Sequence, residues 1–337
     1  MSCFKHWSHY RELQDKNIFI FEEEGLRAAE KDVLRFCALQ FGPLGKKAAT
    51  ISLYLCAIGH AHKLHLGSNP IQQMPRVKLL LAGAQRIDGP PVRKLPISAQ
   101  DLVVIRSHLS SEDINTNIMF CTIALGWFFM IRRSEYLGIG LEGRSSKTFR
   151  HTVRCMDLEP MFQGQRSTWD GQVDSVSLHL EGSKTDWLNQ GTVRTHGRLD
   201  EGGPNEHICI VHCLQTLFRS FPQRATHNTH LPFARWENDR LITSYQVTRM
   251  LKFAVQKNGL DPDSYSLHSL RSGGATALYR ATGDLDLVGR FGRWKGKSIH
   301  GYLWESHQML IGIATLMTRD DGPMVHRAVN RPHQRMA

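Results

Sequence analysis

Along most of the chain apolar residues recur every three to four positions, and in one short region they recur every second. In EEEGLRAAEKDVLRFCALQ, residues 22–40, Leu26, Ala29, Val33, Phe36, Cys37 and Leu39 fall near one helical face, with acids at the N-terminal end that the helix dipole favours. A second amphipathic helix is predicted for LGKKAATISLYLCAIGHAHKLH, ending near Gly67 with Pro70 beyond it, and a third over about 71–84. The following RIDGPPVRKLP holds two adjacent prolines and a glycine and resists helix. It predicts a linker at about 88–97, between a helical domain over 1–87 and a larger domain over 98–320, with a basic tail over 321–337.

Past the linker, Ser98 and Asp101 have the spacing of a capping box, and helices are predicted at 99–109 and 113–131. The run IMFCTIALGWFFMI within the second reads as a buried helix, too short to span a bilayer. Then the period falls to two. HTVRCMDLEPMF and QVDSVSLHLEGSKTDWLNQGTVRTH carry short, alternating β-branched runs and predict a small antiparallel sheet. Helical spacing returns at 208–220, 244–258, 268–281, 284–291, 298–304 and 306–318.

Charge changes this picture of an ordinary helical protein. The 337 residues carry a formal net charge of +11, which points to basic surfaces facing a polyanion, nucleic acid first. Between 46 and 94 the charges are lopsided: Lys46, Lys47, Lys63, Arg76, Lys78, Arg86, Arg93 and Lys94 stand against Asp88 alone. The seven cysteines form no CxxC pair, which fits reduced thiols, and no apolar run is long enough for a membrane span, so an intracellular protein is expected. It would be nuclear in a eukaryote and cytoplasmic otherwise. His60, His62 and His65 do not share a helical face and are expected on a solvated or DNA-facing surface; His207, Cys209, His212 and Cys213 lack zinc spacing, and no metal is expected.

Three constellations in the larger domain set fixed cations beside groups that handle protons. In MIRRSEYL, Arg132 and Glu135 are placed three apart on one helical face. In SLHSLRSGGATAL, His268 and Arg271 repeat that spacing, and Gly273 and Gly274 permit close backbone approach. In RWKGKSIHGYLW, Trp294 and Tyr302 stand among Arg290, Arg293, Lys295, Lys297 and His300. Singly these read as an ion pair, a helix start and a core tyrosine. In order, they resemble the boxes of the tyrosine recombinases: an arginine three before a glutamate, H-x-x-R followed by small residues, a glycine turn leading to His or Trp, and a tyrosine eight or nine residues later. EGSKTDW places Lys184 where that family carries a hairpin lysine.

The resemblance implies a mainly α fold, with an N-terminal helical, SAM-like core-binding domain and an α+β catalytic domain holding a small antiparallel sheet. It further implies that Arg132 and Arg271 clamp the scissile phosphate, Trp294 donates another hydrogen bond, His268 takes a proton as base, Lys184 gives one as acid, and Tyr302 is the nucleophile. Glu135 is read as support for Arg132, and no cofactor is implied. The partner would be double-stranded DNA, touched by Lys46, Lys47, Arg86, Arg93 and Lys94. A homo-oligomer, a tetramer on paired sites, would assemble through the C-terminal helix with Met309, Leu310, Ile313, Leu316 and Met317 on its apolar face. Trp294 and the wording of the linker look closest to recombinases of eukaryotic mobile elements of the Crypton and DIRS kinds. A silent DNA-binding protein of the same fold and a type IB topoisomerase-like enzyme are the alternatives.

Overall fold

The computed structural model describes residues 2–90, 93–110, 112–137, 151–182, 186, 188 and 190–304. Their contacts divide the chain into two units, Met1–Val92 and Arg93–Ala337.

The first unit is helical: α1 (Ser2–Glu12), α2 (Leu26–Phe41), α3 (Ala48–Leu66) and α4 (Pro75–Asp88). Trp7 of α1, Val33 and Phe36 of α2, and Ile51 and Ile58 of α3 form its dry centre. Helix α1 escapes the sequence pattern because aromatic and polar residues are mixed along it, and a buried charge network rather than apolar packing alone ties it down. Arg11 bonds the Glu24 carboxylate at 2.8 and 2.7 Å and Asp32 at 2.8 Å, while Lys16 also reaches Asp32. The N-terminus of α3 lacks a side-chain cap from Lys47; instead the Asp88 carboxylate accepts from the Ala48 N–H at 2.6 Å.

His62 corrects the expectation of a solvated histidine cluster, because it is fully buried. The segment before α2 packs across α3, so Nε2 accepts from the Ile20 N–H at 2.8 Å and Nδ1 donates to the Ile58 carbonyl at 2.7 Å. Burial, followed by the Arg11 charge, lowers its pKa.

The second unit begins with α5 (Ala99–Ser107), entered through the capping box of Ser98 and Asp101. Then come α6 (Ile114–Phe128), the single turn α7 (Arg133–Tyr136), and the strands β1 (Leu158–Phe162), β2 (Gln165–Arg166), β3 (Ser175–Leu180) and β4 (Thr192–Gly197). Helices α8 (Ile210–Ser220), α9 (Gln223–Thr226), α10 (Ser244–Lys257), α11 (His268–Thr282) and α12 (Leu285–Gly292) follow. All strand pairs are antiparallel, in the order β2-β1-β3-β4, with Leu158 opposite Leu178 and Leu180 opposite Thr192.

From Ile118 to Gly126 helix α6 is buried on every side, with α8 and α11 both packed on it. Gly273 and Gly274 make the α11 crossing possible: a Cβ on either would clash with a carbonyl oxygen, that of Ile97 or of Trp127. On β4 the alternation turns Thr192, Arg194 and His196 inward, and His196 bonds the Phe128 carbonyl at 2.8 Å. The sheet therefore holds the end of α6, where the first candidate arginine follows.

Candidate active site

Helix α6 stops three residues short of its predicted end, and Met130 takes a left-handed φ of 49°. Arg132 consequently precedes α7 in extended backbone instead of sharing a helical face with Glu135, which corrects that expectation. The pairing survives by another route. Glu135 accepts the Arg132 N–H at 2.6 Å and its guanidinium at 3.1 Å, while Arg293 Nη2 donates to the same carboxylate at 2.6 Å. Burial acts to raise the Glu135 pKa, but Arg293, the Arg132 N–H and the Arg132 charge outweigh it, and the pKa falls below the ordinary value. Glu135 is therefore an ionised brace.

His268 opens α11, and Arg271 follows on the same face. Arg271 is 2% exposed, bonded to the Met130 carbonyl and to the Gly292 carbonyl at 2.7 Å. Its guanidinium carbon lies 4.1 Å from the centroid of the Trp294 ring and 5.4 Å from that of Tyr302. The His268 and Tyr302 rings are 4.7 Å apart, as are those of Trp294 and Tyr302. Burial first and the Arg132 charge second lower the Arg271 pKa; for His268 the causes are loss of hydration on its packed side and then the Arg271 charge. Among the described residues, Arg271 Nε, Arg293 Nε and Trp294 Nε1 are buried donors with no acceptor.

The third constellation is not the helix over 298–304 that spacing predicts. A 3₁₀ turn, Gly296–Gly301, delivers Tyr302, and Gly296 takes a φ of 63°. Before it, Arg293 ends α12 in the left-handed region, with φ 59° and ψ 41°. The sequence reading leaves Arg293 among undifferentiated basic residues; the structure brings it to Glu135. The Trp294 ring lies over Gly292, where any Cβ would strike it. Arg194 of β4 secures this corner by donating to the carbonyls of Arg290 at 2.5 Å and Phe291 at 2.9 Å.

A cleft of about 270 Å³ runs between the β3–β4 stem and the end of α12, lined by Gly182, Asp186 and Gly191 on one side and Arg293, Trp294 and Lys295 on the other. Lys184 lies outside the described residues, as do the predicted helix over 306–318 and the tail. Lys46, Lys47 and Arg86 are exposed. Arg93 and Lys94, expected to face DNA, bond backbone carbonyls here: Arg93 reaches those of Gly301 at 2.6 Å and Leu303 at 3.0 Å, and Lys94 that of Asp263.

No protein-family description matches the chain, and no curated protein matches it. Among solved structures, the XerH site-specific recombinase bound to palindromic difH substrate, in a post-cleavage complex, is similar over 86% of this chain and 70% of that one, with a TM-score of 0.52 at 14% identity. The fold is that of the tyrosine recombinases. A lambda integrase tetramer bound to a Holliday junction is also similar, with a TM-score of 0.48 and 15% identity over 82% of this chain and 66% of that one. So is the Tn1549 transposon integrase in complex with circular intermediate DNA, with a TM-score of 0.44 and 13% identity over 86% and 84%. At such identities the likeness is one of fold. Within this tyrosine recombinase fold, Arg132 and Arg293 bond one carboxylate and Arg271 feels its charge without bonding it, beside a histidine, an indole N–H and a phenol. That excess of buried positive charge and unpaired donors is suited to a phosphodiester anion.

Proposed function

We propose that the chain is a site-specific DNA recombinase that breaks and rejoins duplex DNA through a covalent bond to Tyr302. The observation that carries this reading is the packing of the Tyr302 ring against His268 and Trp294, at 4.7 Å each, and near the Arg271 guanidinium at 5.4 Å. A core tyrosine is ordinarily packed among apolar side chains, whereas this phenol has an imidazole, an indole and a fixed cation around it.

Attack of the Tyr302 oxygen on phosphorus forms the tyrosyl O–P bond and breaks the bond to the 5′-oxygen, leaving a 3′-phosphotyrosyl end and a free 5′-hydroxyl. A phenol that keeps its proton is a weak nucleophile, so the attack needs a proton acceptor. His268, with its lowered pKa, is uncharged at neutral pH and takes that proton. Arg132 and Arg271 hold the non-bridging oxygens as charge builds, Arg293 adds to the field, and Trp294 Nε1 finds its acceptor in the same phosphate. Lys184 protonates the departing 5′-oxygen. Because the phosphoester bond energy is kept in the tyrosyl link, a 5′-hydroxyl from another duplex reseals the strand without ATP. Exchange between two duplexes cuts four strands and so calls for four tyrosines, which fits a tetramer. Trp294 and the wording of the linker favour a recombinase of a mobile element, of the Crypton or DIRS kind.

A nicked suicide substrate tests the reading. Wild type is expected to leave a covalent protein–DNA adduct that vanishes in Tyr302→Phe. No adduct from wild type on DNA that it binds specifically leaves only the silent DNA-binding protein.

A further inference from the structure

The carbonyl groups at the C-terminal end of a helical turn lack donors within that turn. After the 3₁₀ turn Gly296–Gly301, side chains supply them. Thr276 Oγ1 donates to the Tyr302 carbonyl at 3.4 Å. Arg93 Nη2 donates to the carbonyls of Gly301 at 2.6 Å, Leu303 at 3.0 Å and, more loosely, His300 at 3.5 Å. The Arg93 guanidinium also lies 4.7 Å from the centroid of the Trp304 ring. One exposed arginine, just past the Pro-Pro stretch, thus grips the backbone on both sides of the phenol-bearing residue. A cation is favoured at a helix C-terminus, and a planar guanidinium both bonds and stacks, which an ammonium does not.

We propose that Arg93 is a positioning residue for Tyr302, latching the segment 300–304 so that the phenol stays against His268, Arg271 and Trp294. The proposal rests on the nucleophile reading above. It departs from the sequence expectation for Arg93, which was a contact to DNA.

The test compares wild type with Arg93→Ala, Arg93→Lys, Trp304→Ala and the Arg93→Ala/Trp304→Ala double variant. Adduct formation on the nicked substrate is followed at saturating DNA, alongside the DNA Kd and its salt dependence. Arg93→Ala is expected to slow adduct formation about 10- to 100-fold, the cost of a nucleophile displaced by about an ångström. Kd, salt slope and melting temperature stay as in wild type. Arg93→Lys restores only part of the rate, and the double variant is no slower than the slower single one, since both act through one segment. An unchanged rate at saturation overturns the proposal. So does a weaker Kd with a salt slope reduced by about one, the signature of a phosphate contact. Failure of wild type itself to form an adduct would instead remove the nucleophile reading, and the latch with it.

Discussion

His268 shows how far a single residue can be read from sequence. Its place in H-x-x-R marks it, but its protonation state depends on packing against Tyr302 and on the charge of Arg271. Both lower its pKa from the ordinary value of about 6.5, so the base form prevails at neutral pH. The rate of adduct formation is therefore expected to be flat above about pH 7 and to fall only as pH drops below about 6.5 toward the lowered value. A rate profile measured from pH 4.5 to 8.5 checks this, and His268→Gln should be slow and lack that limb. A limb centred above the ordinary histidine value would contradict the lowered pKa. Arg293 was not legible in this way. Its importance comes from a left-handed backbone and a carboxylate 158 residues away, and neither leaves a local pattern. Such a backbone costs a non-glycine residue about 1–2 kcal/mol, and the buried pair with Glu135 offsets it.

At the scale of elements, periodicity located most helices and the sheet because each buries one face or alternates. It failed where another force decides. Helix α1 is held by the Arg11 network, His62 is buried by a segment crossing α3, and the stretch before Tyr302 is cut short by glycines. The α6–α11 crossing was half legible, in that the small residues were visible but not the helix they meet. The same substitution should have opposite effects at two helical glycines. Gly274→Ala forces a methyl into the Trp127 carbonyl and is expected to cost about 3 kcal/mol. Gly83→Ala, within α4 with nothing near its Cβ position, is expected to add about 0.5–1 kcal/mol. Urea unfolding of both variants decides; a neutral Gly274→Ala would mean that the crossing has slack.

For the whole molecule, the net charge of +11 was plain in the composition, but not which cations remain available to a polyanion. Asp88, the lone acid between 46 and 94, accepts from the Ala48 N–H at the N-terminus of α3. Lys46 and Lys47 are exposed there, whereas Arg93 and Lys94, equal to them in any charge count, are bonded to carbonyls. Each phosphate contact releases condensed counterions, so affinity for duplex DNA should fall linearly in log Kd against log salt, with a slope of about 0.9 per contact. Lys46→Ala/Lys47→Ala is expected to weaken binding for specific and random duplexes alike and to reduce that slope by about two. Adduct formation at saturating DNA should be unchanged, because neither lysine belongs to the cluster around Tyr302. A fluorescence-anisotropy titration from about 50 to 300 mM salt separates the outcomes. A slope equal to that of wild type would mean that these lysines do not touch the backbone, and that the charge serving DNA lies elsewhere on the chain.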